Sequence, residues 1–130
     1  MRVGSMSTRK KILVIDDDKT TITMLTMILT KENYLVMSAL DGEDGLEMIK
    51  SELPDLVVSD VLIPKIDGID ICEKIKKDPY LSHIKVILMT AIKNLMIQKE
   101  ARSCGADGFI EKPTDSRQLL TMIKSLLETD

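Results

Sequence analysis

Apolar residues gather into five short runs, each followed by a longer stretch in which they recur three or four positions apart. The runs are 11–16, 35–39, 56–60, 86–89 and 108–111. The first, third and fourth are nearly unbroken aliphatic segments, the pattern of strands buried on both faces of a parallel sheet. The stretches between them carry helical periodicity. Met24, Leu25, Ile28 and Leu29 form the apolar face of the first predicted helix, with Asp18 or a neighbour as its cap. Asp41, with Asp44 three residues on, has capping-box spacing for a helix ending near Ser51. Ile69, Ile71, Cys72 and Ile75 mark a third helix that Asp78-Pro79 stops. A fourth spans 94–103 with Gly105 as its C-terminal signal. Asp115, with Gln118 three residues later, caps the last, whose stripe is Leu119, Leu120, Ile123 and Leu127.

Strand and helix alternate five times without internal repeats, which predicts an α/β fold: a doubly wound parallel sheet with right-handed crossovers and helices on both faces. At 130 residues the chain is expected to be a single domain. Residues 1–5 read as a tag remnant ahead of Met6, 6–10 as a short leader, and 11–130 as the domain itself. Only Tyr34, Tyr80 and Phe109 are aromatic, so the core must be aliphatic, with methionine filling gaps.

The formal charge is −3, and no compact Lys/Arg block lies beyond the leader, which argues against direct nucleic-acid binding. No signal peptide or span-length apolar run occurs, so a cytoplasmic location without membrane contact is expected. Cys72 and Cys104 lack metal-ligand spacing and read as small buried hydrophobes. His83 reads as a solvated turn residue.

The chemistry lies where the strands end. Asp16-Asp17 follow the first run, Asp60 closes the third, Thr90 follows the fourth and Lys112 the fifth. In open parallel sheets, ligands bind outside the carboxyl ends of the strands. Three acids, a hydroxyl and an ammonium are therefore expected in one crevice, a constellation suited to phosphoryl transfer. Carboxylates so crowded repel one another and call for a cation. Mg²⁺, which prefers oxygen ligands and retains waters, suits such a site.

The stretches ILVIDDDKTT, DLVVSDVLIPKIDG, VILMTA and GADGFIEKP resemble the receiver domains of two-component response regulators. The resemblance runs from about Lys11 through nearly the whole chain. It implies a flavodoxin-like sheet of order 2-1-3-4-5. It further implies Asp60 as phosphoacceptor, served by a partner histidine kinase or histidine phosphotransfer protein. Asp16, Asp17, Asp60 and the backbone carbonyl of Leu62 become ligands of Mg²⁺, or of another divalent cation such as Mn²⁺. Thr90 and Lys112 hold the phosphoryl oxygens, and Thr90 with Phe109 forms a switch. That switch acts on the face made by the fourth helix, fifth strand and fifth helix, where an output domain, a downstream protein or a second copy docks. The Lys112-Pro113 bond matches one commonly held cis. The positions two past Asp60 and two past Thr90 are the apolar Leu62 and Ile92, which implies slow self-dephosphorylation.

Two other readings stand beside this one. Asp16 through Thr20 also fits the nucleophile motif of haloacid-dehalogenase-type phosphatases, with Asp16 as nucleophile and Asp18 as acid. That reading leaves Asp60 without a role. The other is a receiver-like interaction module that is never phosphorylated, against which the complete acid, Thr and Lys set argues.

Overall fold

The computed structural model describes residues 9–112 and 115–128. Five strands alternate with five helices: β1 (Lys11–Ile15), α1 (Lys19–Lys31), β2 (Leu35–Ala39), α2 (Gly42–Glu52), β3 (Leu56–Asp60), α3 (Gly68–Lys77), β4 (Lys85–Thr90), α4 (Leu95–Ser103), β5 (Gly108–Glu111) and α5 (Ser116–Leu127). All strand pairs are parallel, in the order β2-β1-β3-β4-β5. The chain steps one way from β1 to β2, then returns past β1 and proceeds the other way. Right-handed crossovers therefore place α1 on one face and α2, α3 and α4 on the other.

The period-two alternation of side chains sorts the aliphatic strands between two cores. Ile12, Val14, Leu56, Val58, Ile87, Met89 and Ile110 pack beneath α1 and α5, against Leu25, Leu29, Leu119 and Ile123. Leu13, Ile15, Val57, Val86 and Leu88 face the opposite way, against Ile49 of α2, Ile71, Cys72 and Ile75 of α3 and Ala101 of α4. Each fully buried Ile or Leu contributes about 2 kcal/mol by leaving water.

Helix starts follow the cap residues. Asp18, Asp41, Asp67, Asn94 and Asp115 are the N-caps, each accepting a backbone N–H from the first turn. Gly105, at φ 98°, takes the left-handed turn after α4. Met24 departs from the expected stripe. It is 50% exposed, while Ile22 packs against the core beside Leu25 and Leu29. A 3.6-residue period accommodates Ile22, Leu25 and Leu29 on one face as well as it accommodates Met24, Leu25 and Ile28, so spacing alone did not choose between them. His83 is exposed in the turn before β4, as expected. Pro113 lies outside the described residues, and with it the expected cis bond.

Candidate functional site

The strand register brings the chemistry together. Ile15 pairs with Ser59, which sets Asp16 beside Asp60 across the β1–β3 boundary where the strand order reverses. Asp60 in turn pairs with Met89, one residue before Thr90, and Thr90 pairs with Glu111, one residue before Lys112. Hydrogen bonding continues one residue past the strand ends. Asp16 N–H donates to Ala39 O (3.1 Å), Val61 N–H to Met89 O (2.8 Å) and Lys112 N–H to Thr90 O (2.8 Å). The functional side chains thus stand on pinned backbone.

Carboxylate oxygens of Asp16, Asp17 and Asp60 lie within 4.8 Å of one another. Asp16 is wholly buried, Asp60 half-buried and Asp17 exposed, so the cluster opens to solvent on one side. Lys112 reaches in from the opposite edge. Its Nζ donates to Asp16 Oδ2 at 2.7 Å and to Asp60 Oδ2 at 2.9 Å. Burial pulls the Lys112 pKa down, but hydrogen bonds and charge from Asp16 and Asp60 outweigh it and the net shift is upward. The ammonium stays charged at neutral pH and partly neutralises the acids.

Backbone donors fix the remaining oxygens. Asp18 N–H donates to Asp16 Oδ1 (2.9 Å), and Leu62 N–H to Asp60 Oδ1 (3.2 Å). Close packing holds the acceptor strand end too. A Cβ on Gly68 would fall 2.4 Å from the Asp60 carbonyl oxygen, so glycine is required where α3 begins. Gly68 N–H closes the same loop by donating to Val61 O at 2.8 Å.

Thr90 and Phe109 hold partners outside the acidic cluster. The Thr90 side chain is buried, and its Oγ1 accepts the Ile92 N–H at 3.0 Å. Phe109 is half-buried on β5, with the guanidinium carbon of Arg102 4.6 Å from its ring centroid. That cation–π contact was not visible in the sequence, because nothing in the spacing of α4 and β5 says which side chain covers the ring. Leu62 is 54% exposed at the mouth of the site, and Ile92 is half-buried beside Thr90.

Residues 12–124 match the family described as the response regulator receiver domain. The chain belongs to that family. It is 38% identical over 116 residues to response regulator PleD of Caulobacter vibrioides, covering 89% of this chain and 26% of that protein. It is 34% identical over 118 residues to the alkaline phosphatase synthesis transcriptional regulatory protein PhoP of Bacillus subtilis, covering 91% of this chain and 48% of that protein. Among solved structures, a putative response regulator from Chloroflexus aurantiacus superposes with TM-score 0.87 at 30% identity, covering 94% of this chain and all of that one. The chain spans between a quarter and a half of the length of these curated relatives.

As a receiver domain of two-component signalling, it has the flavodoxin-like sheet order 2-1-3-4-5 that the motifs implied. No described helix is long and apolar enough to cross a membrane. The phosphatase reading loses its parts in this geometry. Asp18, its required acid, caps α1 by accepting from Thr20 N–H (2.9 Å) and Thr21 Oγ1 (3.2 Å). Asp16, its required nucleophile, is wholly buried, whereas Asp60 is half-buried and reaches the opening.

Proposed function

We propose that Asp60 accepts a phosphoryl group from a partner histidine kinase or histidine phosphotransfer protein, and that the modified carboxylate resets the face formed by α4, β5 and α5. The observation that carries this reading is the position of Lys112, bonded at once to Asp16 and Asp60. Asp60 is the more accessible of those two carboxylates, and its Oδ1 carries one backbone hydrogen bond. In the transfer, a carboxylate oxygen of Asp60 attacks phosphorus, the bond to the donor breaks, and an acyl phosphate forms.

Three acids sharing one opening form an oxygen-rich set that fits Mg²⁺ or Mn²⁺. Asp16, Asp17, Asp60 and the Leu62 backbone carbonyl would hold the ion, which supplies charge neutralisation at the phosphoryl oxygens. Lys112 balances charge on the remaining side. Thr90 releases the Ile92 N–H and turns its hydroxyl toward the new phosphoryl group. The space it leaves admits Phe109, whose ring rotates inward and away from Arg102. A phosphoryl group brings roughly −1.5 to −2 charge and strong acceptor oxygens, enough to draw both groups.

Exposed side chains mark the docking faces. Met24 and Met27 on α1 lie on the kinase side, and Leu95 and Met96 on α4 lie on the output side, for a downstream protein, an output domain or a second copy. Leu62 and Ile92 flank the acyl phosphate with apolar surface and slow its hydrolysis.

The test is intact mass after incubation with acetyl phosphate and Mg²⁺. One added phosphoryl group is expected, absent with Asp60→Asn and absent with a chelator. An adduct that persists in Asp60→Asn would overturn the assignment.

A further inference from the structure

Ile92, in the segment between β4 and α4, is held from both sides. Its N–H donates to Thr90 Oγ1 at 3.0 Å, and its carbonyl accepts from Gln98 Nε2 at 3.1 Å. Gln98 is half-buried near the start of α4, where the cap leaves little freedom. Asn94 Oδ1 accepts the N–H groups of Met96 and Ile97, and Gln98 N–H donates to Asn94 O at 3.1 Å. The Gln98 amide nitrogen also lies 3.4 Å from Glu111 Oε2, the atom that Lys93 Nζ approaches at 3.6 Å. Glu111 pairs with Thr90 across the β4–β5 ladder and immediately precedes Lys112, whose ammonium bonds Asp16 and Asp60. Gln98 therefore joins the segment that occupies the Thr90 hydroxyl to the start of α4 and to the strand that delivers Lys112.

We propose that Gln98 is a positioning residue that brakes the switch. It holds the segment 91–94 in the arrangement that keeps the Thr90 hydroxyl on Ile92 N–H, and it lets go when Thr90 turns to a phosphoryl group on Asp60. The inference rests on the phosphoacceptor reading of Asp60. The chemistry of the amide supports it first. The atoms that Gln98 reaches, a peptide carbonyl and a carboxylate, only accept hydrogen bonds, so its NH₂ group faces them and offers one hydrogen to each.

Geometry supports it next. Thr90 is buried, and its carbonyl is tied to Lys112 N–H at 2.8 Å, so the hydroxyl changes partner by side-chain rotation on a fixed backbone. That rotation strips Ile92 N–H of its acceptor. Ile92 is half-buried, and a donor left unpaired there is costly, so the segment shifts to satisfy it. The shift draws the Ile92 carbonyl away from Gln98, which stays with its helix. The contacts of Gln98 thus belong to the resting arrangement and stabilise that one alone. Such a residue lowers the fraction of molecules competent to hold the phosphoryl group, and with it the apparent affinity.

The experiment titrates the folded chain, in Mg²⁺, with beryllofluoride, which adds to a carboxylate as a phosphoryl mimic, and follows the ring resonances of Phe109. Gln98→Met keeps the side-chain length and helix preference but has no donor. It should bind the mimic about fivefold more tightly than the native chain, the effect of one neutral hydrogen bond lost from the resting state. Its unliganded Phe109 resonances should also lie part of the way toward their bound positions. Gln98→Lys returns a donor to the same two acceptors and should bring the affinity back toward the native value. If Gln98 only supported the fold, Gln98→Met would unfold at lower urea and bind the mimic no more tightly, and that result would overturn the inference. Gln98→Lys binding as tightly as Gln98→Met would overturn it as well. No mimic binding by the folded native chain would overturn the phosphoacceptor reading itself, and the brake with it.

Discussion

Lys112 shows most plainly how one side chain serves two demands. Asp16 is buried completely, and without a cation its carboxylate would face the charges of Asp17 and Asp60 alone. Breaking a buried ion pair by removing one partner is strongly destabilising, because the remaining charge stays desolvated. Lys112→Ala should therefore lower stability by about 2 kcal/mol without divalent ions. Added Mg²⁺ should restore more stability to this variant than it adds to the native chain, since the ion replaces the lost positive charge. Urea unfolding with and without Mg²⁺ reads both effects, and an equal Mg²⁺ gain in the two proteins would contradict the placement of the ion. Asp16, Asp17, Asp60 and Lys112 were legible in the sequence because each follows an aliphatic run, and strand ends converge by construction. The Thr90 hydroxyl turned to Ile92 N–H and the Arg102 cover over Phe109 were not. Both depend on side-chain directions that no spacing encodes.

At the scale of elements, the site is made by how strands stop and helices begin. The cap acids and the aliphatic runs fixed element positions closely, and β5 runs over Gly108–Glu111 as its pattern indicated. Strand β4 runs one residue further at each end than its aliphatic segment, because Lys85 and Thr90 pair in the ladder despite their polarity. The loop between β3 and α3 was legible only as a loop. Its tightness is not written in composition: Gly68 packs on the Asp60 carbonyl, and Gly42 would place a Cβ 1.8 Å from the Ile66 carbonyl oxygen. Gly68→Ala should cost about 2 kcal/mol in urea unfolding and slow phosphorylation by acetyl phosphate, since relief of the clash moves the acceptor backbone. Asp41→Ala, which removes the α2 cap and the surface ion pair of Asp41 with Lys65 (3.5 Å), should cost about 1 kcal/mol and leave phosphorylation unchanged. Loss of phosphorylation in Asp41→Ala with native phosphorylation in Gly68→Ala would reverse this assignment.

Across the whole molecule, the two cores divide the labour. The α1–α5 side is tied at its far end by Tyr34 Oη donating to Glu128 Oε2 (2.8 Å) and by Lys124 with Glu32 (2.9 Å). The other side ends in α4, which exposes Leu95 and Met96 and meets β5 through Arg102 on Phe109. Such a contact is worth about 0.5–1 kcal/mol at an exposed site. That is enough to bias a two-state ring, so Arg102→Ala should shift Phe109 resonances part of the way toward their positions in the protein bound to a phosphoryl mimic. Resonances unchanged by both the variant and the mimic would refute the switch. Further along the same cycle, Leu62→Asn should hasten loss of the phosphoryl group several-fold by replacing apolar cover with a water-binding amide, followed by the decay of the intact-mass adduct.

The central claim is that convergent strand ends make Asp60, and neither Asp16 nor Asp17, the residue that carries the phosphoryl group. Reduction of the phosphorylated protein with borohydride converts an acyl phosphate to an alcohol and marks the residue that held it. Peptide sequencing by mass should then find homoserine at position 60 alone. Homoserine at position 16 or 17 would contradict the account and return the phosphatase reading to consideration.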